Sequence, residues 1–137
     1  MPDETLVFFK PNIIINDEVD TALAFFKKIG TVKRIMTVRK TMGFFERLYA
    51  NMQIPNKRHH SAFCSSAEVV AVILTGADIV NKAKKITGDQ DASIAAVETV
   101  RGFFYKKYPH SNGSRNFVHV SDSVESAERE IKMFFGE

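Results

Sequence analysis

A chain of 137 residues, 45% hydrophobic and 26% charged, is sized for one domain over residues 1–137 with a core that needs no staples. Nineteen Lys+Arg against 16 Asp+Glu give a net charge of +3, which permits an anionic ligand without demanding one and leaves nucleotides and nucleic acid both open. One cysteine, Cys64, excludes an intrachain disulfide, and the longest weakly charged stretch, Ser61 to Ala77, is interrupted by Glu68 and too polar for a membrane span. Met1 to Glu4 carries two acids where a leader would be basic, so a soluble, cytoplasmic protein is expected.

Thr5 to Phe9 reads as a strand stopped at Lys10-Pro11, because proline lacks the ladder donor. Asn16 is placed to cap a helix with Asp17 and Glu18 in its first turn, and Val19, Leu23, Phe26 and Ile29 form its apolar stripe up to Gly30. Thr31 to Val38 favours a second strand through its β-branched residues. Thr41 to Asn51 has helical spacing at Met42, Phe45, Leu48 and Tyr49. Asn56 to His60 reads as a basic loop or short helix. Its adjacent His59 and His60 point different ways on most backbones, which disfavours a metal site.

Val69 to Leu74 is a nearly continuous aliphatic run, expected to be the most buried strand. Ala77 to Lys85 reads as a short helix whose Lys82, Lys84 and Lys85 complement the C-terminal dipole. Asp91 to Tyr105 again has helical spacing, and Lys106 to Arg115 is a turn-rich basic loop. Phe117 to Val120 is a short strand. Asp122 is expected to cap the last helix, with Glu125 at capping-box spacing and Val124, Ala127, Ile131, Phe134 and Phe135 as its stripe.

The order β-α-β-α-β-α-α-β-α suggests an α+β sandwich, an antiparallel or mixed sheet covered by helices on one face. A ferredoxin-like core fits if the helix of Thr41 to Asn51 is an insertion. His119 then stands at a strand end just before a helix N-terminus, where anions are favoured. On that pattern alone, a hydrogen-bonded structural histidine is the simpler reading. As a phosphoryl acceptor it would need a free ring nitrogen, a partner for the other nitrogen, and cations around the transferring oxygens.

The segment Asn116, His119, Ser121, Asp122, Ser123, Ser126, Ala127, Glu130 and Ile131 resembles the active-site string of nucleoside diphosphate kinases, with Val120 where that family has glycine. The likeness continues in Thr5 to Pro11 and in Thr99-Val100-Arg101-Gly102. It implies that His119 is the nucleophile, that Lys10, Lys84 and Arg101 bind phosphate and that Asn116 binds the sugar. It implies that Tyr49, Ser121 and Glu130 support the histidine, with Glu130 accepting the imidazole N–H. It further implies a ferredoxin-like sandwich on a mainly antiparallel four-stranded sheet, and a ping-pong transfer from nucleoside triphosphate to diphosphate. Magnesium (Mg2+) would arrive on the phosphates, and the chain would form a homo-oligomer, a hexamer or tetramer.

Departures from the family pattern are Asn12 after Lys-Pro, Lys84 in place of arginine, Gln90 in place of threonine, and Val120. Ala92 to Glu98, normally rich in proline and glycine and part of the subunit contact, has neither and looks helical. No base-stacking phenylalanine is evident from Pro55 to His60, and Gly102 to Asn116 is several residues longer than usual. Two other functions fit the sequence. One is a catalytically silent nucleotide-binding regulatory module of the same fold. The other is an RNA-binding domain, since Arg101 to Tyr108 partly follows the RRM signature, but that would need the segment on a strand.

Overall fold

The computed structural model describes residues 3–136, so the reading of Met1 to Glu4 as no leader and the ends of the expected domain lie partly outside the described residues. Four strands are β1 (Asp3–Phe9), β2 (Thr31–Val38), β3 (Val69–Gly76) and β4 (Val118–Val120). They form one sheet in the order β2-β3-β1-β4, with every neighbouring pair antiparallel. The helices are α1 (Pro11–Ile15), α2 (Val19–Lys27), α3 (Met42–Tyr49), α4 (Lys57–Ser65), α5 (Ile79–Thr87), α6 (Val100–Lys107) and α7 (Val124–Phe135). The result is the ferredoxin-like α+β sandwich, with α3 and α4 inserted between β2 and β3.

Helices cover the sheet on both faces, not one. Side chains alternate along a strand, so a sheet with one wet face would show polar residues at every second position. Here Leu6 to Phe9 and Val69 to Leu74 are buried at every position. Val7, Phe9, Val72 and Leu74 pack with Phe26, Ile79 and Phe104 from α2, α5 and α6. Leu6, Phe8, Ala71 and Ile73 pack with Phe45, Leu48, Ile131 and Phe134 from α3 and α7. Each fully buried Val, Leu, Ile or Phe is worth roughly 1.5–3 kcal/mol, so both layers hold the sheet.

Several local expectations are corrected. Asn16 does not start α2 but ends α1, a helix begun by Pro11, whose fixed φ suits a first turn. Asp17 then turns the chain at φ 57°, and α2 begins at Val19. The segment Asp91 to Tyr105 is not one helix. A single 3-10 turn spans Ala92–Ile94, and α6 starts only at Val100, where the Thr99 hydroxyl accepts from the Gly102 amide at 3.2 Å. Gly102 explains the break: a Cβ there would lie 2.0 Å from the Ala96 carbonyl oxygen, so the preceding chain crosses directly over α6. The loop keeps its course without proline or glycine of its own. Ser123, not Asp122, caps α7, its hydroxyl accepting from the Ser126 amide at 3.1 Å. Glu125 contributes through the dipole in the first turn, not through a capping box.

Arg101 to Lys107 lies in α6, not on a strand, so Phe104 enters the core while Phe103 is partly exposed against Phe25. The aromatic platform that an RRM requires is therefore not formed by this segment. Among the described residues no helix is long and apolar enough to cross a membrane.

Candidate active site

Register fixes the position of His119. β4 pairs with β1 so that His119 lies opposite Phe8, and the two rings stack at 4.7 Å between centroids. Alternation turns Val118 and Val120 to the opposite layer, so His119 faces α3 and α7. Glu130, the seventh residue of α7, reaches back to this face. Its Oε1 lies 2.7 Å from His119 Nε2 and accepts from the Ser121 hydroxyl at 2.8 Å. The carboxylate oxygen accepts a hydrogen bond from the imidazole Nε2–H, which leaves Nδ1 as the unprotonated ring nitrogen. Glu130 Oε2 is buried without a hydrogen bond among the described residues, with the Arg129 guanidinium 3.9 Å away. The Tyr49 ring on α3 stands nearly perpendicular to that of His119, 5.6 Å between centroids, while its hydroxyl lies 3.8 Å from Cys64 Sγ. Burial holds the Tyr49 phenol well above its ordinary range.

Beside this group lies a cleft of about 320 Å³ lined by Lys10, Tyr49, His60, Lys84, Arg101, Asn116 and His119, with Met52 and Ile54 at its mouth. Lys10 follows β1 as the residue that precedes α1 and is 1% exposed. Its three N–H groups are all used, by Asn116 Oδ1 at 2.8 Å, the Ser114 carbonyl at 3.1 Å and His60 Nδ1 at 3.2 Å. Burial, with Arg101 nearby, lowers Lys10 to about 8, against an opposing influence of Cys64. Arg101, in the first turn of α6, donates to the carbonyls of Asn116, Gly88 and Val118. One N–H on each terminal nitrogen remains, an arrangement suited to two oxygens of one anion. Burial brings Arg101 down to about 10, still a cation at neutral pH.

Asn116 donates to the Gln90 carbonyl at 2.9 Å and is 1% exposed. The next residue, Phe117, holds φ 79°, which turns the chain into β4 and buries its ring beside Phe104. Lys84 is exposed at the rim and donates to the Asp122 carbonyl at 3.2 Å. The loop after α6 is tied down: Ser114 meets Lys10, the Arg115 carbonyl accepts from Asn12, and the Arg115 guanidinium lies 4.4 Å over the Phe63 ring.

Sequence reasoning missed His60. It sits 3% exposed on the inner face of α4, its ring 5.3 Å from that of Tyr49, while the neighbouring His59 is exposed. The signal was present: His60, Phe63 and Cys64 are spaced as one helical face, and all three are buried. Basic neighbours on both sides of that face obscured it.

Comparison with known proteins identifies the family. The family profile described as nucleoside diphosphate kinase matches residues 3–137. A relative named nucleoside diphosphate kinase, mitochondrial, from Columba livia is 31% identical over 137 residues, covering 98% of this chain and 73% of that protein. The Aquifex aeolicus nucleoside diphosphate kinase structure superposes with a TM-score of 0.87 at 27% identity, covering 98% of this chain and 96% of that one. The apo enzyme from Encephalitozoon cuniculi gives 0.89 at 26% identity, covering 98% and 90%. A profile matched over nearly the whole length, on this fold, places the chain in the nucleoside diphosphate kinase family.

Proposed function

We propose that residues 1–137 act as one nucleoside diphosphate kinase domain, moving the γ-phosphoryl group of a nucleoside triphosphate onto a nucleoside diphosphate through His119. The observation that carries this reading is the Ser121–Glu130–His119 array, which leaves Nδ1 free on a ring that lines the cationic cleft. In the first half-reaction Nδ1 attacks the γ-phosphorus, the P–N bond forms, and the bond to the β–γ bridging oxygen breaks. The diphosphate leaves with that electron pair. In the second half, a terminal oxygen of another diphosphate attacks the phosphohistidine, and the pair of the P–N bond returns to Nδ1. Glu130 holds the Nε2 proton throughout and offsets the positive charge that the ring gains. Arg101 and Lys10 supply cationic charge at the cleft floor, Lys84 supplies it at the rim, and Asn116 is placed for the sugar.

The residues fit a magnesium ion that comes with the nucleotide. Among the described residues no group of three or more His, Cys, Asp or Glu could hold an ion, and Asp122 is the one carboxylate lining the cleft. Asp122 would face such an ion, and the ion would supply neutralisation of phosphate charge. A homo-oligomer, hexamer or tetramer, and a cytoplasmic location complete the reading, which includes no membrane and no specific nucleic acid.

Brief incubation with γ-labelled ATP and magnesium tests it. The label should resist base, be lost in acid, discharge onto added GDP and be absent from His119→Ala. Nucleotide binding without label in the wild-type protein would sink the transferase reading and favour the silent regulatory module.

A further inference from the structure

A buried ammonium needs three acceptors, and desolvation is costly where one is missing. Two of those around Lys10 come from one short segment, the Ser114 carbonyl and the Asn116 amide oxygen. The third comes from a different part of the fold, α4, through His60 Nδ1. That helix is itself held against the same segment by the stacking of Arg115 on Phe63. An ammonium only donates, so the contact exists only while the imidazole is neutral with its proton on Nε2. The surroundings enforce this state. Burial, then Lys10, Arg101, His119 and His59, push His60 down to about 3. Tyr49 and Cys64 complete the buried shell around the pair, and Asp89 and Asp91 share a shallow neighbouring cleft with His60.

We propose that His60 is a positioning residue for Lys10: its neutral imidazole is the acceptor from α4 that fixes the ammonium in the cleft floor. The role in transfer rests on the phosphoryl-transfer reading above; the coupling of the two side chains does not. This chain thus ties the helical pair α3–α4, which flanks the mouth of the cleft, to the cation at its base. Changes in that pair reach the phosphate site through His60.

The test is a titration of the Lys10 side chain by 13Cε-lysine NMR in the ligand-free full-length protein, the resonance being the one absent from Lys10→Met. Two variants are compared with wild type. His60→Asn keeps an acceptor near the place of Nδ1, and His60→Phe keeps a ring without one. A hydrogen bond to the charged form is lost only in His60→Phe, so its Lys10 midpoint should fall by about one pH unit while His60→Asn stays near wild type. His60→Leu substitutes where the Phe variant does not fold. The alkaline limb of kcat/KM should move in the same order, because a neutral Lys10 no longer offers charge to phosphate. An unmoved midpoint in His60→Phe, or an equal fall in His60→Asn, overturns the positioning role in a protein that still transfers phosphate. A wild-type protein that transfers none overturns the reading beneath it, whatever the midpoints.

Discussion

His119, Ser121 and Glu130 lie on β4, the turn after it and α7, all buried, whereas Lys84 and the Asn51–Ile54 turn stand exposed or half-exposed around the same cleft. The first group is held side chain to side chain. Its geometry depends on a strand register, on a stacked Phe8 and on a helix that returns to the sheet at one height. The second group meets solvent and single carbonyls. A substitution in the floor leaves a buried polar atom without its partner, while one at the rim exchanges one hydrated group for another. Two of the departures from the family pattern, Lys84 and Gln90, lie at the rim. Val120 lines the cleft with His119, although strand alternation turns its side chain toward the layer opposite the His119 ring.

The sharpest way to break the comparison is Glu130→Gln. The amide keeps the shape but loses the charge that holds the Nε2 proton. A hydrogen bond to a charged group is worth roughly 1.5–3 kcal/mol, which corresponds to about a ten- to hundredfold slower phosphorylation of His119. Quench-flow measurement of phosphoenzyme formation checks it, and an unchanged rate would mean that the floor is no more demanding than the rim.

A second test uses acid. The unfolded chain protonates His60 below its ordinary value of 6.5, the folded chain only below about 3. Between these values the unfolded state binds more protons, so stability should rise with pH across that window, and His60's contribution should fade as pH falls through it. Urea midpoints over this range should climb more steeply in wild type than in His60→Asn, which has nothing to titrate there. Equal slopes would show that the imidazole is not sequestered with the floor.

The smallest effect is expected at Lys84. An exposed charge contact is typically worth about 0.2–1 kcal/mol, so Lys84→Gln should raise KM for nucleotide by up to about fivefold, with kcat little changed and the effect shrinking in salt. A large fall in kcat would move Lys84 into the floor and erase the distinction.

Where the sequence was legible, the interactions were local or periodic. The apolar runs of β1 and β3, the stripes of α2, α3 and α7, and the strand–turn–helix string around His119 each lie within one continuous segment. What was misread depended on contacts made at a distance. The helical spacing of Asp91 to Tyr105 is real, but Ala96 must cross Gly102 at the surface of α6, and that crossing ends any helix before Val100. Asn16 is as good an N-cap as a helix end, and Pro11 decided between them by starting α1. Asp122 and Ser123 are equivalent caps by residue type; the turn out of β4 selected Ser123.

The sequence by itself therefore determined the α+β order and the family resemblance, because residue type and short-range spacing suffice for these. Only the tertiary structure decided that both faces of the sheet are covered, that Lys10 is buried with all three donors engaged, and that His60 is one of its partners. The physical reason is sequence distance. Lys10, His60 and Asn116 are brought together from three separate parts of the chain, and no local pattern specifies that the His60 face of α4 will pack onto a lysine 50 positions earlier.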